Sequence, residues 1–92
     1  MAEKTVNSRE IGRVGNRMLL TGTFEAGQDD YVKLLSSSSR IVSCMIQNKD
    51  EAYTAHAVIN SNNGTEGSLN GALYVDSENA SVDTWYYEAT FV

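Results

Sequence analysis

Asp83-Thr84-Trp85-Tyr86-Tyr87-Glu88-Ala89-Thr90-Phe91-Val92, the last ten residues of the chain, decide the fold. Apolar and polar side chains alternate along this stretch with the period of two that a half-buried strand requires. The four side chains on the predicted inner face are Trp85, Tyr87, Ala89 and Phe91. Because the stretch holds the largest aromatic cluster of the chain, we expect a central or paired strand and not a loose tail.

Five further segments combine β-branched, aromatic and aliphatic residues and are bounded by Gly, Asn, Asp and Ser: residues 17–24, 31–35, 40–48, 52–60 and 69–76. This spacing favours antiparallel strands over alternating strands and helices. A helix over residues 28–36 is the competing interpretation of one segment. We predict an all-β fold, a small antiparallel β-sandwich that is jelly-roll-like, with a small barrel as the alternative.

The amino-terminal segment differs from the rest of the chain in charge. Residues 1–17 carry four cationic and two acidic side chains, a net charge of +2, whereas residues 18–92 carry three and ten, a net charge of −7. We therefore predict a basic arm over residues 1–17 and a sandwich domain over residues 18–92. Arg9, Arg13 and Arg17 would share one face of a helix, although Gly12 and Gly15 weaken helix formation. Thr5 and Val6 could instead add a short edge strand.

The chain is small for an independently stable domain. With 92 residues it buries roughly 60–70% of its unfolded surface. One cysteine excludes an internal disulfide, and one cysteine with one histidine cannot supply a closed zinc site. Self-association is then the remaining way for so small a domain to gain stability. The predicted interface combines the arm arginines with apolar side chains on outward strand faces: Arg9, Arg13, Arg17, Leu19, Met45, Tyr74 and Tyr86.

The sequence offers little for catalysis or metal binding. His56 points outward on the predicted alternation, while Cys44 points inward among aliphatic residues, which favours a packing role over a reactive thiol. Asp76, Glu78, Asn79 and Asp83 form an oxygen-rich loop without the spacing of a calcium loop. We predict no enzyme activity, no cofactor and no metal.

Exposed aromatic residues also suit a second function. Tyr74 and Tyr86 could stack on sugar rings, with His56 as a polar neighbour. A carbohydrate- or receptor-binding module is therefore the alternative to an oligomer interface.

Charge and hydropathy limit the other partners. The acidic body disfavours nucleic-acid binding, which needs clustered Lys and Arg. No apolar run approaches the roughly 20 residues that span a bilayer, and no secretion signal is evident, so we expect synthesis in the cytosol and no membrane partner.

Several segments resemble small structural proteins of tailed-phage virions, which occur in the head gene clusters of environmental and marine phages. The segments are Leu20–Phe24, Gly64–Ser68, Leu73–Ser77 and Asp83–Ala89. The resemblance implies a capsid decoration protein or a related head or tail component, located in the virion after synthesis in the host cytoplasm. It also implies a β-sandwich homotrimer whose amino-terminal arms reach over capsid subunits. It assigns no binding role to a particular residue.

Overall fold

Two four-stranded sheets pack face to face in the computed structural model, which describes residues 3–27, 30–35, 39–50, 52, 55–62, 67–77 and 82–92. The back sheet has the order β1-β4-β7-β6, with β1 Glu3–Lys4, β4 Tyr31–Lys33, β7 Ala72–Ser77 and β6 Ala55–Ile59. The front sheet has the order β2-β3-β8-β5, with β2 Val6–Val14, β3 Arg17–Ala26, β8 Asp83–Phe91 and β5 Ile41–Asn48. All neighbours are antiparallel except β1 and β4.

The predicted all-β sandwich is confirmed. Each of the six predicted strands is present, with ends shifted by a few residues. The competing helix over residues 28–36 is wrong where the structure describes it, because Tyr31–Lys33 is a strand that pairs with β7. Among the described strands, the chain stays within one sheet in the hairpins β2–β3 and β6–β7 and otherwise crosses to the opposite sheet.

The carboxy-terminal strand is central, as predicted. β8 lies between β3 and β5 and pairs with both along most of its length. Its inner face supplies Trp85, Tyr87, Ala89 and Phe91 to the core, which also contains side chains from both sheets: Leu20, Phe24, Ala26, Val32, Leu34, Ile41, Leu73 and Val75. Trp85 is 1% exposed, and its indole N–H donates to the Ala26 carbonyl at 3.2 Å. This bond satisfies the one polar group of the buried indole.

Residues of the predicted arm belong to strands in both sheets. β1 pairs with β4 in the back sheet, and β2 pairs with β3 from Val6 to Val14 in the front sheet. Arg9 and Arg13 therefore lie on a strand and not on a helix. Gly15, at a φ of +59°, opens the two-residue turn between Val14 and Arg17, and a positive φ at this position is what a tight hairpin of this kind needs.

A bulge in β5 changes which residue enters the core. The sequence predicts Val42, Cys44 and Ile46 on the inner face, and the latter two do pack against the core. The register shifts between Ile41 and Ser43, however, so Ile41 is the residue that is fully buried, opposite Phe91. The prediction for Val42 was wrong because a bulge breaks the alternation that periodicity assumes.

Some predictions lie outside the described residues: the turn at Asn63-Gly64 and the loop positions Glu78 and Asn79. In the described part of the chain, no helix is of a length and apolarity that would cross a bilayer.

Candidate functional site

The outer surface of the front sheet, called here the front face, carries the outward side chains of all four strands. The cross-strand register aligns them in rows: Ser8, Thr23, Tyr86 and Gln47 in one, and Glu10, Thr21, Glu88 and Met45 in the next. Leu19, Thr90 and Ser43 continue the surface toward the β2–β3 turn. Two large apolar side chains stand out from these polar neighbours, because Met45 is 72% and Tyr86 48% exposed.

A shallow groove of about 360 Å³ crosses this face. Tyr86 and Met45 provide its apolar lining, while Thr23, Gln47 and Glu88 provide hydroxyl, amide and carboxylate groups. Ser8 Oγ and Thr23 Oγ1 lie 3.2 Å apart at one end of the groove. The groove thus combines an exposed aromatic ring with several hydrogen-bonding groups, an arrangement suited to contact with a second molecule.

The structure gathers part of the predicted interface on the front face. Leu19 and Met45 share this face with Tyr86, and Arg17 lies beside them at the hairpin end of β3. Leu19 is half-buried by its neighbours. These residues come from three strands, so they form one surface in the folded chain.

The remaining predicted interface residues lie elsewhere. Arg9 and Arg13 pair with Gly22 and Met18, whose side of β3 faces the core, so both arginines lie on the inner side of β2. They are nevertheless exposed there, at the edge of the sheet. Tyr74 belongs to the outer surface of the back sheet, where it lies between Tyr31 and Val58. The seven residues thus occupy three separate surfaces.

The same geometry separates the residues of the predicted sugar platform. His56 and Tyr74 both lie on the outer side of the back sheet, whereas Tyr86 lies on the opposite side of the molecule. His56 is the neighbour of Asp76, with Nε2 and Oδ2 3.5 Å apart on an exposed surface. A single sugar ring cannot contact Tyr74 and Tyr86 together, so each tyrosine belongs to a different candidate surface.

The environment of Cys44 lowers the reactivity of its thiol. Burial raises the pKa of its thiol to about 12, and a backbone hydrogen bond from Glu88 offsets only part of this increase. Since the thiolate is the nucleophile, very little of the reactive form exists at neutral pH. In the described residues, no group of three or more His, Cys, Asp or Glu side chains is arranged to hold a metal ion.

Tyr87 anchors the edge strand β2 from across the sheet. Its ring lies over Gly22 on the inner face, and its hydroxyl donates to the Ser8 carbonyl at 3.1 Å. The bulge between Val6 and Ser8 brings that carbonyl over Gly22, where a Cβ atom would clash with it. Burial raises the pKa of Tyr87, with Arg9 acting in the opposite direction. The protonated phenol therefore persists and holds β2 in register.

Several exposed residues of the front sheet were not predicted as site residues. Gln47 and Glu88 line the groove, and Ile11 and Val14 on β2 are 71% and 54% exposed. Alternation along each strand did place Glu88 and Tyr86 on one face. The register that sets Gln47 beside Tyr86 depends on pairing between distant segments, which periodicity does not report.

Comparison of the chain with protein-family models, with curated proteins and with solved structures finds no match.

Proposed function

We propose that this chain is a non-enzymatic structural protein of a tailed-phage particle, a capsid decoration protein or a related head component, that works as a homotrimer. The observation that carries the proposal is the front face, where Met45 and Tyr86 are exposed on a sheet surface that the described residues leave uncovered. Large apolar side chains on one surface are typical of an interaction site. The proposal that the particle is a tailed phage comes from the sequence resemblance to phage virion proteins.

Two further features support self-association. A chain of 92 residues has a small core, and burying further apolar surface against a copy of itself increases the free energy of unfolding. The exposed strand β2 also presents Ile11 and Val14 to solvent. In a trimer these side chains and Met45 are covered by neighbouring copies, while Tyr86 and Leu19 are available to a capsid or tail subunit.

The first experiment measures mass in solution. Light scattering coupled to gel filtration is expected to give about 30 kDa, three times the 10.1 kDa of one chain. Met45→Lys places an ammonium group at the edge of the front face and is expected to shift the population toward monomer. Tyr74→Lys is the matched control on the opposite sheet and should leave the mass unchanged. A wild-type monomer at micromolar concentration contradicts the proposal.

The second experiment addresses the particle. The genes on either side of the coding sequence are expected to include a major capsid or portal gene. A neighbourhood of metabolic genes, without any virion gene, would contradict a role in a phage particle while leaving self-association standing.

A second candidate function is carbohydrate or receptor binding at the groove. It is favoured by the half-exposed ring of Tyr86 between Gln47 and Thr23, since sugars stack on aromatic faces while their hydroxyls bind amides and hydroxyls. A glycan array followed by titration of any positive sugar tests it. Binding should disappear in Tyr86→Ala and persist in Tyr74→Ala, and a wild-type chain that binds no sugar at millimolar concentration removes the candidate.

A further inference from the structure

We infer that copies of this chain join head to tail through their front sheets, with β2 of one copy adding as a fifth strand beside β5 of the next. The inference rests on the proposed self-association and names the surfaces and the symmetry class involved. The two edges of the front sheet are β2 and β5, with nine and eight residues. In the described part of the chain, no strand pairs with the outer side of either one.

The strand directions are compatible with this contact. Each neighbouring pair in the order β2-β3-β8-β5 is antiparallel, so β2 and β5 run in opposite directions. A second copy in the same orientation therefore presents its β5 antiparallel to β2 of the first. The core-facing sides of the two sheets also coincide, so the sheet continues without a reversal of its faces.

β2 is an unusual edge strand. Its residues from Asn7 to Val14 are exposed, because the back sheet does not cover them. Ile11 projects from its inner side between Arg9 and Arg13 and is 71% exposed. Natural proteins protect long edges with prolines, short lengths or charges. β2 is nine residues long and carries Arg9, Glu10 and Arg13, so these charges restrict its partners to an edge with complementary charges that can also cover Ile11.

One alignment of β2 with β5 of the next copy suits the side chains on both faces of the extended sheet. If Ile11 lies opposite Ile46 of the next copy, two apolar side chains meet on the inner side, where Ile46 is already half-buried against the core. On the front face the same register places Gly12 opposite Met45. A Cβ at Gly12 would have no atom within 4 Å, so this position leaves space for the long Met45 side chain.

The charged side chains at the carboxy-terminal end of β5 are compatible with this register. Arg9 lies diagonally across from Asp50 of the next copy, and Glu10 lies diagonally across from Lys49. Diagonal neighbours in a sheet are within reach of long side chains. Both pairs are of opposite sign, and Asp50 and Lys49 are exposed just beyond the end of β5.

The first residue of β5 is not available for this contact. The Asn60 side chain occupies both backbone groups of Ile41, at the start of β5. Pairing therefore begins at Ser43, opposite Val14, and includes Gln47, opposite Glu10, with five residues on each strand.

Charge argues against the alternative in which β2 pairs with itself about a two-fold axis perpendicular to the sheet. With Ile11 opposite Ile11, Arg9 of each copy would lie opposite Arg13 of the other, and like charges directly opposite are destabilising. The head-to-tail contact instead brings the segment of net charge +2 to a body of net charge −7. Repeated head-to-tail contacts close into a ring when the rotation allows, as a trimer requires.

Engineered disulfides test the contact. In a Cys44→Ala background, Gly12→Cys combined with Met45→Cys should oxidise to covalent species larger than a dimer, which end at one closed ring on a non-reducing gel. The pair Glu10→Cys and Met45→Cys reports a register shifted by two residues. Ile11→Cys with Met45→Cys is the matched control on opposite faces, and it should not cross-link.

The outcomes separate the two proposals. Scattering shows whether each variant still associates before oxidation. An oligomer whose Gly12 and Glu10 pairs both fail to link, or whose control links equally well, overturns the head-to-tail contact and leaves self-association intact. Dimers formed by Met45→Cys alone would show the front faces meeting each other, which also overturns it. A monomer at every concentration removes both proposals.

Discussion

The Asn60 side chain pairs with both backbone polar groups of Ile41. Its Oδ1 accepts from the Ile41 N–H, and its Nδ2 donates to the Ile41 carbonyl, each at 2.9 Å. Oδ1 also accepts from the Gly71 N–H at 3.2 Å. Asn60 is buried and follows β6 of the back sheet, whereas Ile41 opens β5 of the front sheet. One amide thus replaces a strand partner for Ile41 and ties the two sheets together.

Replacing Asn60 with alanine should lower the free energy of unfolding by at least about 3 kcal/mol, because three buried backbone groups lose their partner. Asn60 also has a φ of +56°, which alanine adopts only with strain. Asn60→Gly relieves that strain and should recover only a minor part of the loss. Urea denaturation followed by Trp85 fluorescence measures both variants.

Asn70→Ala is the control for this comparison. Asn70 Oδ1 accepts from Arg40 at 2.8 Å on the exposed surface, so its loss should cost less than about 1 kcal/mol. Equal effects at Asn60 and Asn70 would show that the Asn60 amide does not link the sheets.

The two glycines on neighbouring strands should respond oppositely to alanine. At Gly22 the added Cβ meets the Ser8 carbonyl, so β2 must move and the Tyr87 hydrogen bond is lost. Unfolding free energy should fall by about 2–3 kcal/mol, the usual cost of overpacking. At Gly12 the Cβ enters open space, and the change should stay within about 0.5 kcal/mol.

Hydrogen exchange locates the effect of Gly22→Ala. Amides of Ser8 to Val14 should lose protection while those of β8 keep theirs, because only β2 depends on the Ser8 position. Uniform loss across both strands would be at odds with a local displacement of β2. Tyr87→Phe removes the same hydrogen bond without the clash and should cost about 1 kcal/mol.

Stability should fall in alkaline solution in a way that depends on Cys44. Burial raises the pKa of this thiol from 9.0 to about 12 in the folded chain, so the unfolded chain releases its proton first. The contribution is complete below pH 9 and is lost as the pH rises toward 12. Tyr87 acts in the same direction, from its ordinary value of 10.0 upward.

Urea denaturation between pH 8 and pH 11 measures this dependence. The unfolding free energy of Cys44→Ala should decline less steeply with pH than that of the wild type, and Ser43→Ala should follow the wild type. Identical slopes for Cys44→Ala and the wild type would mean that the thiol ionises equally in both states.

The Cys44 thiol should also react slowly with iodoacetamide. At pH 8 a pKa of about 12 leaves about one thiolate in ten thousand, compared with about one in ten for a cysteine with the ordinary pKa of 9.0. Alkylation in buffer should be about three orders of magnitude slower than in denaturant. His56→Cys in a Cys44→Ala background lies on the exposed outer side of the back sheet, away from the proposed contact, and should react at nearly the denatured rate. Fast reaction of native Cys44 would contradict its burial.

Local periodicity was enough to predict the strands of the core. The inner faces of β3 and β8 are those that alternation predicts, with Leu20, Phe24 and Trp85 fully buried. It failed where alternation is interrupted or absent. β2 carries charges on both faces, so alternation did not indicate a strand there, and the bulge in β5 exchanged Val42 for Ile41.

The candidate site was predictable residue by residue but not as a surface. The outward positions of Met45, Tyr74 and Tyr86 follow from alternation within each strand. Their grouping does not, since Tyr86 and Met45 share the front face while Tyr74 lies on the opposite sheet. Likewise nothing near Asn60 in the sequence indicates that its amide pairs with Ile41.

By itself the sequence determined six of the eight described strands and, apart from the bulge in β5, which side of each is apolar, because both depend on residues two apart in the chain. The tertiary structure alone decided which strands are neighbours, which edges stay open and which exposed side chains meet. Those properties depend on hydrogen bonds and packing between segments far apart in sequence, and a shift of one residue in any register would rearrange them.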